Sequence, residues 1–130
     1  MSALSDYAEK LLLDWMMTTG SATRPTAWYV ALYTAAPSDS GGGTEVSGNG
    51  YSRQSATFDA ATSGAGTTSN TGAVTFTASG GNWGTITHIG IHDASTSGNL
   101  LWSGSMTASK TVNDGDTLEF AIGNIDLTLA

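Results

Sequence analysis

Cysteine is absent from this 130-residue chain, so neither disulfides nor thiolate metal sites can hold it together. Basic residues are almost absent as well: Lys10, Arg24, Arg53 and Lys110 stand against eleven acids, for a formal net charge of −7. Affinity for nucleic acid comes from clustered Lys and Arg, and these four are scattered. The sequence therefore argues against a nucleic-acid partner, and against an anionic membrane surface for the same reason. Long hydrophobic runs are missing too. Asp6, Glu9 and Asp14 interrupt the apolar N-terminal segment, and no basic stretch precedes it. Neither a signal peptide nor a membrane span is expected, and assembly in a cytoplasm is.

What is present is small, polar and turn-prone. Ser, Thr and Gly make up about two-fifths of the residues, yet 39% of the chain is hydrophobic and only 12% is charged. Disordered chains combine low hydrophobicity with high charge, so this balance points instead to an ordered all-β domain whose strands are filled by Thr and β-branched residues. One domain of this length can bury a real core.

The first twenty residues have helical periodicity. Leu4, Ala8, Leu11, Leu12 and Trp15 gather on one face, Ser2 or Ser5 can cap the start, and Gly20 is a stop signal. Met16 and Met17 widen the apolar face. After Pro25 the period becomes two. Strands are expected at Trp28–Thr34, Tyr51–Phe58, Ala73–Ala78, Thr85–Asp93 and Leu100–Met106, with small-residue loops at 36–50 and 63–70. Asp114-Gly115 predicts a hairpin turn, followed by alternation at Leu118, Phe120 and Ile122 and again at Ile125, Leu127 and Leu129. Seven or eight strands at this spacing predict an antiparallel β-sandwich or barrel. Residues 1–24 form its N-terminal helix and connector, and residues 25–130 its β body, a single domain overall.

No catalytic constellation emerges. His88 and His92 are four apart, but in a strand that spacing spans about 13 Å, too far for one ion, so no metal is expected. Asn113-Asp114-Gly115-Asp116 lacks the ligand run and distal Glu of a calcium loop. There is no Gly-x-Ser-x-Gly elbow and no phosphate-cradling Gly-Lys-Ser/Thr. A non-enzymatic protein without cofactor is the expectation. Trp28 and Trp102, within apolar strands, read as core. Trp83, flanked by Gly81, Asn82 and Gly84, reads as the exposed tryptophan, available to an interface. Glu45 and Arg53 flank the Gly48-Asn49-Gly50 turn as an exposed pair, so Arg53→Ala is expected to spare folding and weaken assembly.

Taken together, several segments resemble a family of small tailed-bacteriophage virion proteins, variously labelled tail fibre, minor tail or head-decoration proteins. They are Leu12-Leu13-Asp14-Trp15, Tyr29-Val30-Ala31-Leu32-Tyr33-Thr34, Glu45-Val46-Ser47-Gly48 through Tyr51-Ser52-Arg53-Gln54, Trp83-Gly84-Thr85-Ile86-Thr87-His88, Ile91-His92-Asp93 and Gly98-Asn99-Leu100-Leu101. The resemblance implies a structural role in the virion and carries no catalytic residues. The leading expectation is an exterior capsid decoration or cement protein, trimeric, that binds the major capsid protein or other virion proteins. Trp15, Met16, Met17, Arg53 and Trp83 are its candidate interface residues. The alternative is a tail or fibre-tip component in which Trp83 faces host glycans.

Overall fold

A computed structural model describes residues 2–61, 64 and 66–129 of the chain. Thr62 and, within the expected 63–70 loop, Ser63 and Ala65 lie outside the described residues. The body is mainly β, and its strands pair antiparallel, as expected. Ten strands and one helix occur among the described residues: β1 Ser2–Leu4, α1 Asp6–Met17, β2 Tyr29–Ala35, β3 Thr44–Glu45, β4 Gln54–Ser55, β5 Thr67–Ser69, β6 Val74–Thr77, β7 Gly84–His92, β8 Leu100–Val112, β9 Thr117–Phe120 and β10 Asp126–Thr128.

One layer runs β1-β8-β7-β2, with β3 and β4 both paired to the outer edge of β2. Facing it, the pairs β6-β9 and β10-β5 form the second layer of a sandwich-like body. Val30 and Leu32 of β2, with Ile86 and Ile91 on either side of a register shift in β7, pack against Val74, Phe76, Leu118 and Ile125 of the second layer. These eight are 4% exposed or less, so the core sits between the layers.

The helix is shorter than its periodicity implies, because residues 2–4 are taken by the sheet. Ser2 pairs with Gly104 and Leu4 with Trp102. Ser5 ends the strand and starts the helix. Its N–H donates to Leu101 O (2.8 Å), its hydroxyl donates to Leu100 O, and its Oγ accepts from the Ala8 N–H (3.1 Å), an N-cap bond. Asp6 and Glu9 lie in the first turn, where the helix dipole favours anions.

Two local expectations are corrected. The run Tyr51–Phe58 holds only the two-residue β4, since residues 47–53 leave the sheet as a loop. Asp114-Gly115 does make a tight turn (Asp116 N–H to Asn113 O, 2.9 Å), but it closes no hairpin. The Gly115 N–H donates to Ala78 O and the Gly80 N–H to Asp114 Oδ1, which ties the turn to the end of β6. The chain therefore crosses to the other layer, and β9 pairs with β6 rather than with β8.

Candidate functional site

The helix docks through its first half alone. Ala8 is its buried residue, and Leu11 and Leu12, on the same face, are half-buried. Trp15 shares that face by helical spacing but overhangs the body and is 69% exposed. Leu13, Met16 and Met17 point elsewhere around the axis and are exposed as well. The last turn and a half of α1 thus exposes four large apolar side chains, interrupted by Asp14, which pairs with Lys10. Large apolar side chains exposed side by side mark an interaction surface more often than a solvent-facing one. Of the candidate interface residues, Trp15, Met16 and Met17 meet here.

Arg53 lies elsewhere, in a polar pin on the outer face of the first layer. Where residues 47–53 leave the edge of β2, the ladder is interrupted, and Tyr51 fills the gap. Its hydroxyl accepts the Leu32 N–H (3.1 Å) that a continuous strand would have bonded, and donates to Glu45 Oε2 (2.7 Å). Arg53 completes a two-pronged pair with Glu45, through Nε to Oε2 and Nη2 to Oε1, both 2.9 Å. Its Nη1 donates to Ala94 O (3.0 Å) and Ser97 O (2.8 Å), clamping the turn after β7.

Behind the pin, Tyr33 Oη and His92 Nε2 share a 2.8 Å hydrogen bond. Gly90 permits it: a Cβ there would lie 2.9 Å from the Tyr33 ring. His92 Nδ1 is buried without a partner among the described residues. Burial, followed by the field of Arg53, lowers the His92 pKa to about 4. Burial also pushes Glu45 upward, but the hydrogen bonds from Arg53 and Tyr51 outweigh it and hold the carboxyl below its ordinary value. Burial and the bond to Glu45 raise the Tyr51 hydroxyl far out of reach of physiological pH. The pin holds a formed ion pair, and its chemistry is that of a clamp.

A family model described as Podophage GP4 fiber I protein gp80 matches residues 3–128. The chain belongs to this family. It is therefore a structural component of a tailed-phage virion. No curated protein matches the chain significantly.

Within this gp80-family chain, two expectations about site residues are corrected. Arg53 and Glu45 do meet, but the Arg53 side chain is only 9% exposed, so the pair is not the exposed one that was expected. Trp83 is 7% exposed and belongs to the core. Its ring meets Tyr51 edge-on at 5.5 Å, and its Nε1–H donates to Asn49 O (3.0 Å). The glycines around it signal tight turns that fold the 47–53 loop back over the indole. Asn49 itself sits at φ 52°.

Asn70 is a buried polar residue that sequence reasoning passed over. It donates to Gly72 O and Ala121 O and accepts from the Ile125 N–H, stitching the second layer together. His88 and His92 are held by different partners, Thr87 and Tyr33.

Proposed function

We propose that this chain is a building subunit of the fibre apparatus, anchored to a neighbouring virion protein through the α1 tip. The apolar tip carries this reading: Trp15, Met16, Met17 and Leu13 are 60–72% exposed on a helix whose other end is fixed to the sheet. Burying such side chains contributes about 1.5–3 kcal/mol each, ample for a durable joint when several engage together. The family description favours the fibre over the head, where the sequence alone placed a capsid cement. Trp83 is buried, which supports the anchoring reading over one in which its ring stacks on a glycan.

The test is cryo-electron microscopy of particles carrying a tagged copy, beside particles carrying Trp15→Ser/Met17→Ser. Tagged density at the fibres, with the double variant missing from them, is expected. Regular density over the head would overturn the fibre assignment, and full incorporation of the variant would overturn the anchoring role. Deleting residues 1–20 is not a clean alternative, because it removes β1 and the Ser5 cap along with the tip.

A further inference from the structure

The N-terminal arm, residues 2–17, is joined to the body by a linker that is barely attached to it. Between the end of α1 at Met17 and the start of β2 at Tyr29 run eleven residues, 18–28, without helix or strand. The Thr18 hydroxyl donates to Asp14 O (2.8 Å) and the Gly20 N–H to Thr18 Oγ1 (3.1 Å), both within the arm and its linker. Among the described residues, no hydrogen bond then ties the linker to the body until Trp28 O accepts the Ala56 N–H. Pro25 biases Arg24 toward extended backbone, and an extended linker of eleven residues reaches about 36 Å. A compact chain of this length has a radius of gyration of about 14 Å, so the linker can carry the arm onto a touching neighbour.

The seat of the arm is made of groups that every copy carries. β1 is an edge strand, bonded to β8 on one side alone through the pairs Ser2–Gly104, Ala3–Ser103 and Leu4–Trp102. Ser5 bonds Leu100 and Leu101, the Asp6 N–H donates to Asp39 O (3.0 Å), and Ala8 is the buried residue of the helix. An arm arriving from another copy finds each of these partners unchanged. What differs is the tip. The linker leaves the helix at Thr18, directly beyond Trp15, Met16 and Met17. With the arm on its own body, these side chains stay bare. With the arm on a neighbour, the chain crosses from the tip back to its own β2 and draws the two bodies together around the tip.

We infer that the arm is exchanged between copies: β1 and α1 of one copy dock on β8 of the next, and the α1 tip is buried where the two bodies meet. The inference rests on the reading of the tip as an anchor and names a second copy of this chain as what it grips. A reciprocal exchange closes a dimer, and a sequential one closes a ring, a trimer included, or runs on as a filament. The docking contacts are those the fold already contains. Exchange therefore adds the burial of the tip, set against the entropy lost when copies associate.

The absence of cysteine makes the exchange readable. Ala3→Cys/Ser103→Cys places two thiols at facing positions of β1 and β8. The unaltered protein should form species larger than a monomer in sedimentation velocity. The double variant, oxidised at that same concentration and run on a denaturing gel without reductant, should give covalent species of two or more chains. Reduction should return them to single chains, and peptide mapping should find the linkage between positions 3 and 103. A mixture serves where the double variant fails to fold. Ala3→Cys and Ser103→Cys copies, unfolded together and refolded, can join positions 3 and 103 only across copies, and that linkage is expected.

A 3–103 linkage found solely within single chains overturns the exchange, as does its absence from the mixture. A monomeric unaltered protein overturns it as well. The entry of Trp15→Ser/Met17→Ser into particles then decides the anchor separately. Exclusion of that variant keeps the anchoring role with a different neighbour, and full incorporation removes both readings.

Discussion

The α1 tip puts four large apolar side chains into solvent, whereas the Glu45–Arg53 pin takes two charges out of it. Each reverses the usual preference of its residue types, and each carries a cost. The pin meets its cost within the chain. Every Arg53 nitrogen finds an oxygen, and the Glu45 carboxylate is held by both Arg53 and Tyr51. The tip meets none of its cost within the chain. An inversion that is satisfied internally reports on folding, and one left unsatisfied reports on assembly.

Substitutions can push on either side of that contrast. The largest effect is expected at Trp83, which anchors the loop carrying the pin. Trp83→Ala should lower unfolding free energy by about 4 kcal/mol in chemical denaturation, as large-to-small changes in cores do. A loss below about 1 kcal/mol would return the indole to the surface.

Arg53→Ala comes next, at about 3 kcal/mol, because it strands a half-buried carboxylate. Adding Glu45→Gln to it should recover part of that loss by removing the charge. A double variant no more stable than the single one would mean that packing, and not charge, dominates the pin.

An effect of comparable size follows pH. In the fold His92 takes up its proton near pH 4, whereas an unfolded histidine does so near its ordinary value of 6.5. The unfolded state binds the proton first, so stability falls as pH drops from 6.5 toward 4 and levels off below. Glu45, held low, adds a loss in the same direction, present below its ordinary carboxylate range and complete once pH passes its folded value. His92→Gln should flatten the part between 6.5 and 4 in melting curves at stepped pH; an unchanged slope would assign it to other groups. Smallest of all is Met17→Ser, expected to shift unfolding by less than about 0.5 kcal/mol while weakening association. A large loss of monomer stability there would mean that the tip packs on its own body.

These two regions also mark how far the sequence can be read. The helix, the β2 and β7 strands and the all-β class follow from periodicity, because alternation and 3.6-residue spacing are imposed by burial itself. The C-terminal half of β8 escapes that reading. Leu100–Met106 is visible as a strand, but Thr107–Thr111 is exposed throughout and carries no apolar alternation, though it pairs with β7 as far as Val112. The pin was half visible: opposite charges around a turn predicted the pairing of Glu45 with Arg53, and nothing local predicted its burial. That burial depends on the Ala94 and Ser97 carbonyls, more than forty residues away. Asn70 is invisible for the same reason, since two of its three bonds reach residues beyond position 120. Trp83 misled because neighbouring glycines describe the backbone, while the fate of an indole is decided by what folds over it.

The Ser5 junction has a mechanical consequence. Part of any force applied at the α1 tip enters the body through Ser5, whose amide and hydroxyl grip Leu101 and Leu100 while its oxygen holds the helix. From there the load enters β8, the longest strand, flanked by β1 and β7. Hydrogen bonds across that ladder lie perpendicular to the strands, so a pull along β8 loads many of them in parallel instead of opening them one by one. A subunit hung by its helix is thereby sprung from its stiffest member.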